Sequence, residues 1–219
     1  SWLPSLSRIQ QITLSETDIE GKILGNSSKI NSTIQLDGER GLSTIISSID
    51  HSDSISINAT ITLEEFDVGN LIHSSIATTN LNGLIEIKTN SVEIDSAEGQ
   101  LNLELSNGSI NAFDFDSLSL ITDWQKGKFN PSFLLTSETA YLTGGGSVEL
   151  ADRNKSVLVT GEAHNLDLKS LTNSTLLSNS LIDLTYELSL NGADINNSFG
   201  LLTVDLPNTV IEEIGRAHV

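Results

Sequence analysis

The chain has 219 residues, of which 37% are apolar, 5% aromatic and 18% charged, and it contains neither Cys nor Met. Without Cys, disulfides, thiol nucleophiles and thiolate metal sites are excluded together. The 29 acidic residues outnumber the 11 basic ones, which gives a formal net charge of −18. This balance argues against nucleic acid as a partner, because phosphate binding needs a concentrated Lys/Arg surface.

The ends of the chain are interpreted separately from its centre. Since natural chains begin with Met, its absence predicts an internal segment of a longer protein. We expect residues 1–15 to end a preceding repeat and residues 193–213 to begin the next one. Residues 214–219 resemble the translation of a sequencing adapter, and they are excluded from functional reasoning as a processing artefact. No apolar run approaches the roughly 18 residues of a membrane-spanning helix.

Alternation of apolar and polar residues is the strongest signal in the chain. From Ile55 to Leu63 every second side chain is apolar, which places these side chains on one face of a strand. The same period of two returns at Leu101, Leu103 and Leu105, at Phe113 and Phe115, at Leu118 and Leu120, at Val157 and Val159, and from Ile182 to Leu190. The pattern predicts an all-β fold of antiparallel hairpins, with a sheet covered or curled on one side.

Glycine-containing stretches between these runs predict turns, because Gly and Asn accept the positive φ angles of tight reversals. The predicted turns are Asn82-Gly83, Glu98-Gly99, Asn107-Gly108, Lys126-Gly127, Gly144-Gly145-Gly146 and Asn191-Gly192. Residues 66–72 and 166–171 break the strand pattern with apolar spacings of three and four, which predicts short helical turns.

These two helical stretches also indicate an internal repeat. Phe66 and Leu166 are 100 residues apart, and the same offset pairs Ile57 with Val157 and Leu71 with Leu171. We therefore expect one β repeat unit at 16–90 and a second at 91–192. The alternation after residue 84 is out of step with that after residue 184, and coincidence in a chain rich in Leu, Ile and Ser is the alternative.

Histidine offers the first candidate chemistry. His51 lies between Asp50 and Ser52, the residue types of a hydrolytic triad. Adjacent residues point in different directions, whereas a triad needs residues that converge from separate segments, so a polar turn is predicted instead. His73 and His164 belong to no metal-ligand spacing.

Acidic residues offer the second candidate chemistry. The pairs Glu64-Glu65 and Asp114/Asp116 provide carboxylates without a fixed separation for glycoside cleavage. The loop beginning at Asp194 has Phe199 where a calcium loop needs Gly. The sequence thus predicts no enzyme activity, no metal site and no cofactor.

The order of elements over residues 16–192 carries a family resemblance. It begins with Asn80-Leu81-Asn82-Gly83 leading into an alternating strand, and it continues through a glycine-rich step at 144–150. It closes with the block at 166–171 and the strand that ends at Asn191-Gly192. This succession resembles the repeat region of the AsmA superfamily, and within it the TamB (translocation and assembly module) family of diderm bacteria.

The resemblance implies a fold and a role. Proteins of this family are anchored in the inner membrane and extend across the periplasm as an elongated, curled antiparallel sheet, a β-taco-like trough with an apolar concave side. It implies a role in the cell envelope, in phospholipid transport between inner and outer membranes or in outer-membrane protein assembly. The implied partners are phospholipid, the inner membrane through an anchor outside this chain, and an outer-membrane assembly partner that contacts another part of the protein.

On this interpretation the apolar stripe lines a lipid groove. Exposing a sixteen-carbon acyl chain to water costs roughly 12 kcal/mol, at about 0.8 kcal/mol per methylene, so a transfer route needs a continuous apolar lining. The predicted lining residues are Ile55, Ile57, Ile61, Leu63, Leu101, Leu103, Leu105, Leu118, Leu120, Val148, Leu150, Val157, Val159, Leu184, Tyr186 and Leu188.

Alternation alone also fits two other structures. The same stripe fits the core of an ordinary β-sandwich. A bacterial surface adhesin or β-solenoid passenger is the alternative function, and a solenoid would show regular parallel rungs of about 20–30 residues.

Overall fold

The computed structural model describes residues 17–38, 41–52, 55–68, 78–150, 155–172, 180–192, 199–207 and 210–211. These residues form one antiparallel sheet, so the predicted all-β fold with an elongated, curled sheet is confirmed. The strands are β1 (Thr17–Gly25), β2 (Lys29–Gly38), β3 (Gly41–Asp50), β4 (Ser56–Phe66), β5 (Thr79–Thr89), β6 (Glu98–Ile110), β7 (Phe113–Gln125), β8 (Lys128–Thr136), β9 (Tyr141–Glu149), β10 (Lys155–Asp167), β11 (Ser180–Gly192), β12 (Phe199–Asp205) and β13 (Val210–Ile211). A short helix, α1 (Leu168–Thr172), follows β10.

The strands lie in the sheet in the order of the chain. Each strand from β1 to β11 pairs antiparallel with the next, and β13 pairs with the start of β11. Every strand pair that the structure describes is antiparallel, so the parallel rungs of a β-solenoid are absent from this part of the chain. A second sheet that would complete a sandwich is likewise absent from the described residues.

The strand register assigns each side chain to a face, because residues opposite each other in a ladder point to the same side. Ile61 in β4 pairs with Ile45 in β3 and with Ile85 in β5. We call this side the inner face and the opposite side the outer face. Followed across the sheet, this row of the inner face reads Gly21, Ile34, Ile45, Ile61, Ile85, Leu103, Leu120, Phe133, Gly144, Gly161, Tyr186 and Val204.

The neighbouring inner row is enclosed. Leu63, Leu105, Leu135 and Ala163 are only 4–7% exposed although they come from alternate strands of one sheet. They form one apolar cluster, which also contains Phe66, Phe113, Phe115 and Leu166. A flat single sheet leaves both faces open to water, so this burial shows that the inner face is curled and closed along one side.

A contact between distant strands holds this closed side. The Ala112 N–H donates to the Ser170 carbonyl oxygen at 3.2 Å, and Asn111 Nδ2 donates to the Leu171 carbonyl oxygen at 2.7 Å. The donors Asn111 and Ala112 lie in the β6–β7 turn, and the acceptors Ser170 and Leu171 lie in α1. These two segments meet although β8 and β9 separate β7 from β10 in the sheet. Because β8 and β9 have nine residues each against thirteen in β7 and β10, the turn and α1 meet beyond the end of the shorter hairpin.

Three register shifts lie at this side of the sheet, one of them between Asn80 and Gly83 in β5, and the other two are β-bulges that supply residues to the buried cluster. The register shifts between Leu63 and Phe66 in β4, and between Ala163 and Leu166 in β10. A bulge bends its strand and redirects the residues that follow it. Phe66 and Leu166 consequently enter the buried cluster, at positions 100 residues apart.

Several turn predictions are wrong. Lys126-Gly127 forms the β7–β8 turn as predicted, with positive φ at both residues. Gly144-Gly145-Gly146 instead lies inside β9, where the Phe133 and Tyr186 rings occupy the space above Gly144. The other predicted turns lie within strands or at their ends, with Asn82-Gly83 inside β5, Asn107-Gly108 inside β6, Glu98-Gly99 opening β6 and Asn191-Gly192 closing β11.

One predicted helical turn is displaced, and most of the other lies outside the described residues. Leu166 and Asp167 still belong to β10, and α1 begins only at Leu168. Phe66 ends β4, and residues 69–77 lie outside the described residues, as does the loop that begins at Asp194.

Candidate functional site: the inner face of the sheet

The inner face carries two further apolar rows on its open side. One contains Trp124, Phe129 and the register partners of Ile57. In full it reads Gly25, Ile30, Ile49, Ile57, Thr89, Gly99, Trp124, Phe129, Val148, Val157, Leu190 and Gly200. The second row lies between this one and the Ile61 row, and it includes Ala59, Ile87, Leu101, Val159, Leu188 and Leu202.

Nearly all of the predicted lining residues lie on the inner face. Those in its rows are Ile57, Ile61, Leu63, Leu101, Leu103, Leu105, Leu118, Leu120, Val148, Val157, Val159, Leu184, Tyr186 and Leu188. Ile55 precedes β4 and is 42% exposed, and Leu150 follows β9, where its N–H donates to the Gly127 carbonyl oxygen. These two residues therefore lie outside the strand alternation, because the strands end before reaching them.

Sequence reasoning missed other residues of the inner face. Ile34 and Ile45 belong to it, but Ser32 and Ser47 interrupt their alternation, and Ser32 Oγ lies 2.6 Å from Ser47 Oγ across the ladder. The aromatic residues Trp124, Phe129 and Phe133 were missed as well. They stand at alternate positions of β7 and β8, so the same period of two would have found them.

Burial changes across and along the inner face. Leu63 is 7% exposed, whereas Ile57 and Ile61 in the same strand are half-buried. Exposure rises at both edges of the sheet, to 69% for Ile23 in β1 and 61% for Leu202 in β12. The inner face is thus an apolar trough that is closed along the cluster, half-open along the Ile57 row and exposed at both ends.

Aromatic rings cover the glycines of the trough. The Trp124 and Phe129 rings stack with centroids 5.8 Å apart, and the Trp124 ring occupies the position of a side chain at Gly99. Tyr186 in the same way covers Gly144 and Gly161. Burial raises the pKa of Tyr186, because the phenolate would lose hydration. These rings add apolar surface where the strands carry no side chain.

The outer face has a different character. Thr60, Glu86 and Asn102 form a polar cross-strand row directly behind the apolar ones. Seven exposed aliphatic residues on the outer face are exceptions to this polarity and are 41–65% exposed, namely Leu24, Ile46, Ile121, Leu134, Leu158, Leu181 and Leu201. The contrast between the two faces makes the inner one the candidate binding surface.

Titratable side chains gather near the β10 bulge. His164 Nδ1 lies 2.9 Å from Asp183 Oδ1, which also accepts a hydrogen bond from the Asn165 N–H at 2.8 Å. Tyr141 donates to Glu162 at 3.1 Å, and this hydrogen bond raises the Tyr141 pKa. The group supports the bulge. Within the described ranges, no set of three or more His, Cys, Asp or Glu side chains has the geometry of a metal site.

The segment around His51 forms a polar turn. Asp50 Oδ1 accepts hydrogen bonds from the Ser52 N–H at 3.0 Å and the Ser52 hydroxyl at 2.7 Å. These hydrogen bonds hold the pKa of Asp50 below its usual value. In a triad the serine hydroxyl donates to the histidine, and the histidine donates to the aspartate. Here the Ser52 hydroxyl donates directly to Asp50, so these three residues do not form a triad.

The part of the chain that the structure describes contains no helix with the length and hydropathy needed to cross a membrane. Comparisons with protein-family models, with curated proteins and with solved structures found no match to this chain.

Proposed function

We propose that the inner face shelters the acyl chains of phospholipids, as one segment of a periplasm-spanning envelope protein that passes lipid between the inner and outer membranes. One observation carries the proposal: apolar rows cross the sheet on one face, from the Ile30 end to the Leu188 end, and no second layer of described residues covers them. A large uncovered apolar surface is typical of a binding site.

The dimensions of the trough support a lipid ligand. Twelve strands at about 4.8 Å spacing give a sheet roughly 50 Å long, and the rows run along this length. Removing a methylene group of an acyl chain from water contributes about 0.8 kcal/mol. Contact with the rows of Ile, Leu and Val can therefore offset the free-energy cost of taking the acyl chain out of the bilayer. The half-buried state of Leu103 and Leu188 leaves apolar area for the ligand to cover.

The resemblance to the AsmA superfamily supports the cellular location that this proposal assumes. Its TamB family implies a periplasmic location, an inner-membrane anchor elsewhere in the protein and a contribution to outer-membrane biogenesis. The single antiparallel sheet with an apolar inner side has the form that this resemblance implied.

Site-specific photo-crosslinking tests the proposal. A photo-reactive residue at Ile57, Leu103 or Leu188 on the inner face should capture phospholipid from vesicles. Matched probes at the outer-face neighbours Asn58, Glu104 and Glu187 should capture much less, because alternate residues of a strand face opposite ways. Equal capture by the two sets, or no capture by the inner set in a folded chain, would refute the proposal.

The edge strand β12 favours a second role, in outer-membrane protein assembly. All seven of its residues are exposed, including Phe199 at 73% and Leu201 at 65%. An exposed edge offers backbone hydrogen-bonding groups to an added strand. A photo-reactive residue at Leu201 should capture an unfolded outer-membrane β-barrel protein, and Thr203→Pro in the same chain should reduce the capture. Undiminished capture by that variant would argue against strand addition.

A further inference from the structure

Among the described residues, positive charge is confined largely to one margin of the sheet. The strand ends beside the Ile57 row form this margin, and we call it the lysine rim. Every described lysine except Lys22 and Lys169 lies within two residues of a strand end there. These lysines are Lys29 at the start of β2, Lys88 near the end of β5, Lys126 in the β7–β8 turn, Lys128 at the start of β8 and Lys155 at the start of β10.

The opposite margin, beside the buried cluster, is acidic. Among the described residues it carries Lys169 and a series of carboxylates, namely Asp18, Asp37, Glu64, Glu65, Asp114, Asp116, Glu138, Asp167 and Asp183. The lysine rim is closer to balance, because its five lysines stand among six described carboxylates, namely Asp50, Glu93, Asp95, Glu98, Asp123 and Glu149. Among the described residues, an anion meets one ammonium group amid many carboxylates along the acidic margin, and several ammonium groups along the lysine rim.

The rim lysines are available to a ligand. All five are exposed, and none forms an ion pair with another residue in the described part of the chain. A flexible four-carbon stem lets each ammonium group reach over the strand end while its apolar part rests on the protein.

The rim lysines border the trough from two sides of the sheet: Lys155 lies on the inner face, and Lys29, Lys88 and Lys128 lie on the outer face, one residue from an inner-face position. Lys29 directly precedes Ile30, Lys128 directly precedes Phe129, and Val157 follows two residues after Lys155. The stacked rings of Trp124 and Phe129 lie next to the turn that carries Lys126. Positive charge at the lip of an apolar surface matches a molecule with an anionic head and apolar tails.

We propose that the lysine rim binds the headgroup phosphates of anionic phospholipids and thereby fixes the orientation of lipid in the trough. The acyl chains lie on the inner face, and the headgroups lie along the lysine rim and away from the acidic margin. This inference rests on the proposed function, to which it adds the class of lipid and the direction in which it is held.

A charge-removal variant of the full 219-residue chain tests the inference. In Lys88→Gln/Lys128→Gln/Lys155→Gln, capture of phosphatidylglycerol by a photo-reactive residue at Leu103 should fall at least about tenfold, since each lysine near an anionic lipid contributes about fivefold. Capture of phosphatidylcholine, whose choline offsets the phosphate charge, should change less than about twofold. The control variant Lys22→Gln/Lys169→Gln should behave as the unsubstituted chain, and the triple Lys→Arg variant should retain the preference.

The outcomes separate this inference from the proposed function. If the rim variant captures both lipids less than the unsubstituted chain by the same factor, or captures both as well as that chain does, the rim does not bind headgroup phosphates. Capture at Leu103 in the unsubstituted chain would still support the trough as the site of the acyl chains. No capture at Leu103 in the unsubstituted chain overturns both. Calorimetric binding of glycerol phosphate as tight as that of phosphatidylglycerol would make the rim a soluble-phosphate site and would overturn the lipid assignment. Circular dichroism verifies that each variant retains its β-sheet.

Discussion

Glu65 and Asn165 occupy equivalent positions 100 residues apart, each at the bulge of a long strand with φ near +50°. The Glu65 N–H donates to Asn82 Oδ1, and the Asn165 N–H donates to Asp183 Oδ1, both at 2.8 Å. In both cases the acceptor belongs to the next strand of the sheet. The same device therefore bends the sheet twice, and it supplies a residue to the buried cluster each time.

Substitution at Glu65 tests the importance of this backbone conformation. A β-branched residue fits poorly at positive φ, so Glu65→Val should lower the free energy of unfolding by about 1–3 kcal/mol. Glu65→Gly is the matched control, because Gly adopts positive φ freely, and it should unfold close to the unsubstituted chain. Urea denaturation followed by circular dichroism measures the difference. Equal midpoints for the two variants would show that the bulge relaxes without cost.

Asp167 caps α1, and its replacement should destabilise the closed side of the trough. Its Oδ1 accepts hydrogen bonds from the Lys169 N–H at 3.0 Å and the Ser170 N–H at 3.3 Å, and its Oδ2 accepts one from the Ser170 hydroxyl at 2.6 Å. Asp167→Ala should cost about 1 kcal/mol near neutral pH, whereas Asp167→Asn should cost little, since Asn caps helices equally well. Urea titration of the two variants compares them directly.

The same carboxylate predicts a dependence on pH. Burial acts to raise the Asp167 pKa, but the hydrogen bonds from Ser170 and Lys169 outweigh it, so the folded-state pKa lies below the usual 3.8. A lowered pKa gives a stabilisation that is complete above the unfolded-state value and is lost as the pH falls through the folded-state value. The unsubstituted chain should therefore lose stability relative to Asp167→Asn between about pH 5 and pH 2. Parallel acid titrations of the two would contradict this assignment.

The glycines of β9 should differ in their tolerance of alanine. A Cβ at Gly144 would meet the Tyr186 hydroxyl and the Phe133 ring, whereas the closest atom to a Cβ at Gly145 lies at 3.2 Å. Gly144→Ala should cost about 1–3 kcal/mol through overpacking, and Gly145→Ala on the outer face should cost much less. Thermal unfolding of the two variants compares them.

A double variant checks the cause of the Gly144 effect. Because the atoms above Gly144 belong to side chains, Tyr186→Leu should relieve part of the cost of Gly144→Ala. The same replacement should not rescue Gly161→Ala, where the Thr143 carbonyl oxygen also blocks a Cβ. Failure to rescue Gly144→Ala would show that Tyr186 does not limit the space above Gly144, and rescue of Gly161→Ala would show that the Thr143 carbonyl oxygen does not block a Cβ there.

Trp124 provides a fluorescent test of lipid in the trough. The chain contains two Trp residues, so Trp2→Phe leaves Trp124 as the single emitter. Lipids brominated on their acyl chains should quench its emission, since its ring lies on the inner face against Phe129. Soluble iodide should quench it less once lipid is bound. Quenching by iodide alone would place the ring in water and the lipid elsewhere.

Much of the fold was predictable because strand alternation depends only on neighbouring residues. Ile57, Leu103 and Leu188 were assigned to one surface by their period of two, and the register brings their rows together along the inner face. Lys126-Gly127 was predictable as a turn for the same local reason. The short α1 was displaced by two residues, since Leu166 enters the buried cluster as part of β10.

The remainder depended on contacts between distant residues. Gly144-Gly145-Gly146 has the composition of a turn, but the rings of Phe133 and Tyr186, from neighbouring and more distant strands, fill the space over its first glycine. The change of phase between the two copies of the repeat also becomes clear only from such contacts. Asn82 and Asp183 perform the same task at an offset of 101, so one extra residue lies between the bulge and the next strand in the second copy.

The order of strands in the sheet has a consequence for folding and for growth of the molecule. Each strand from β2 to β11 pairs with its immediate predecessor and successor in the chain. Folding can accordingly begin at any hairpin and spread outward, as it does in quasi-one-dimensional repeat proteins. Gene duplication could lengthen such a molecule by whole hairpins without rearranging its existing ladders, which would make the span a quantity that evolution can adjust stepwise.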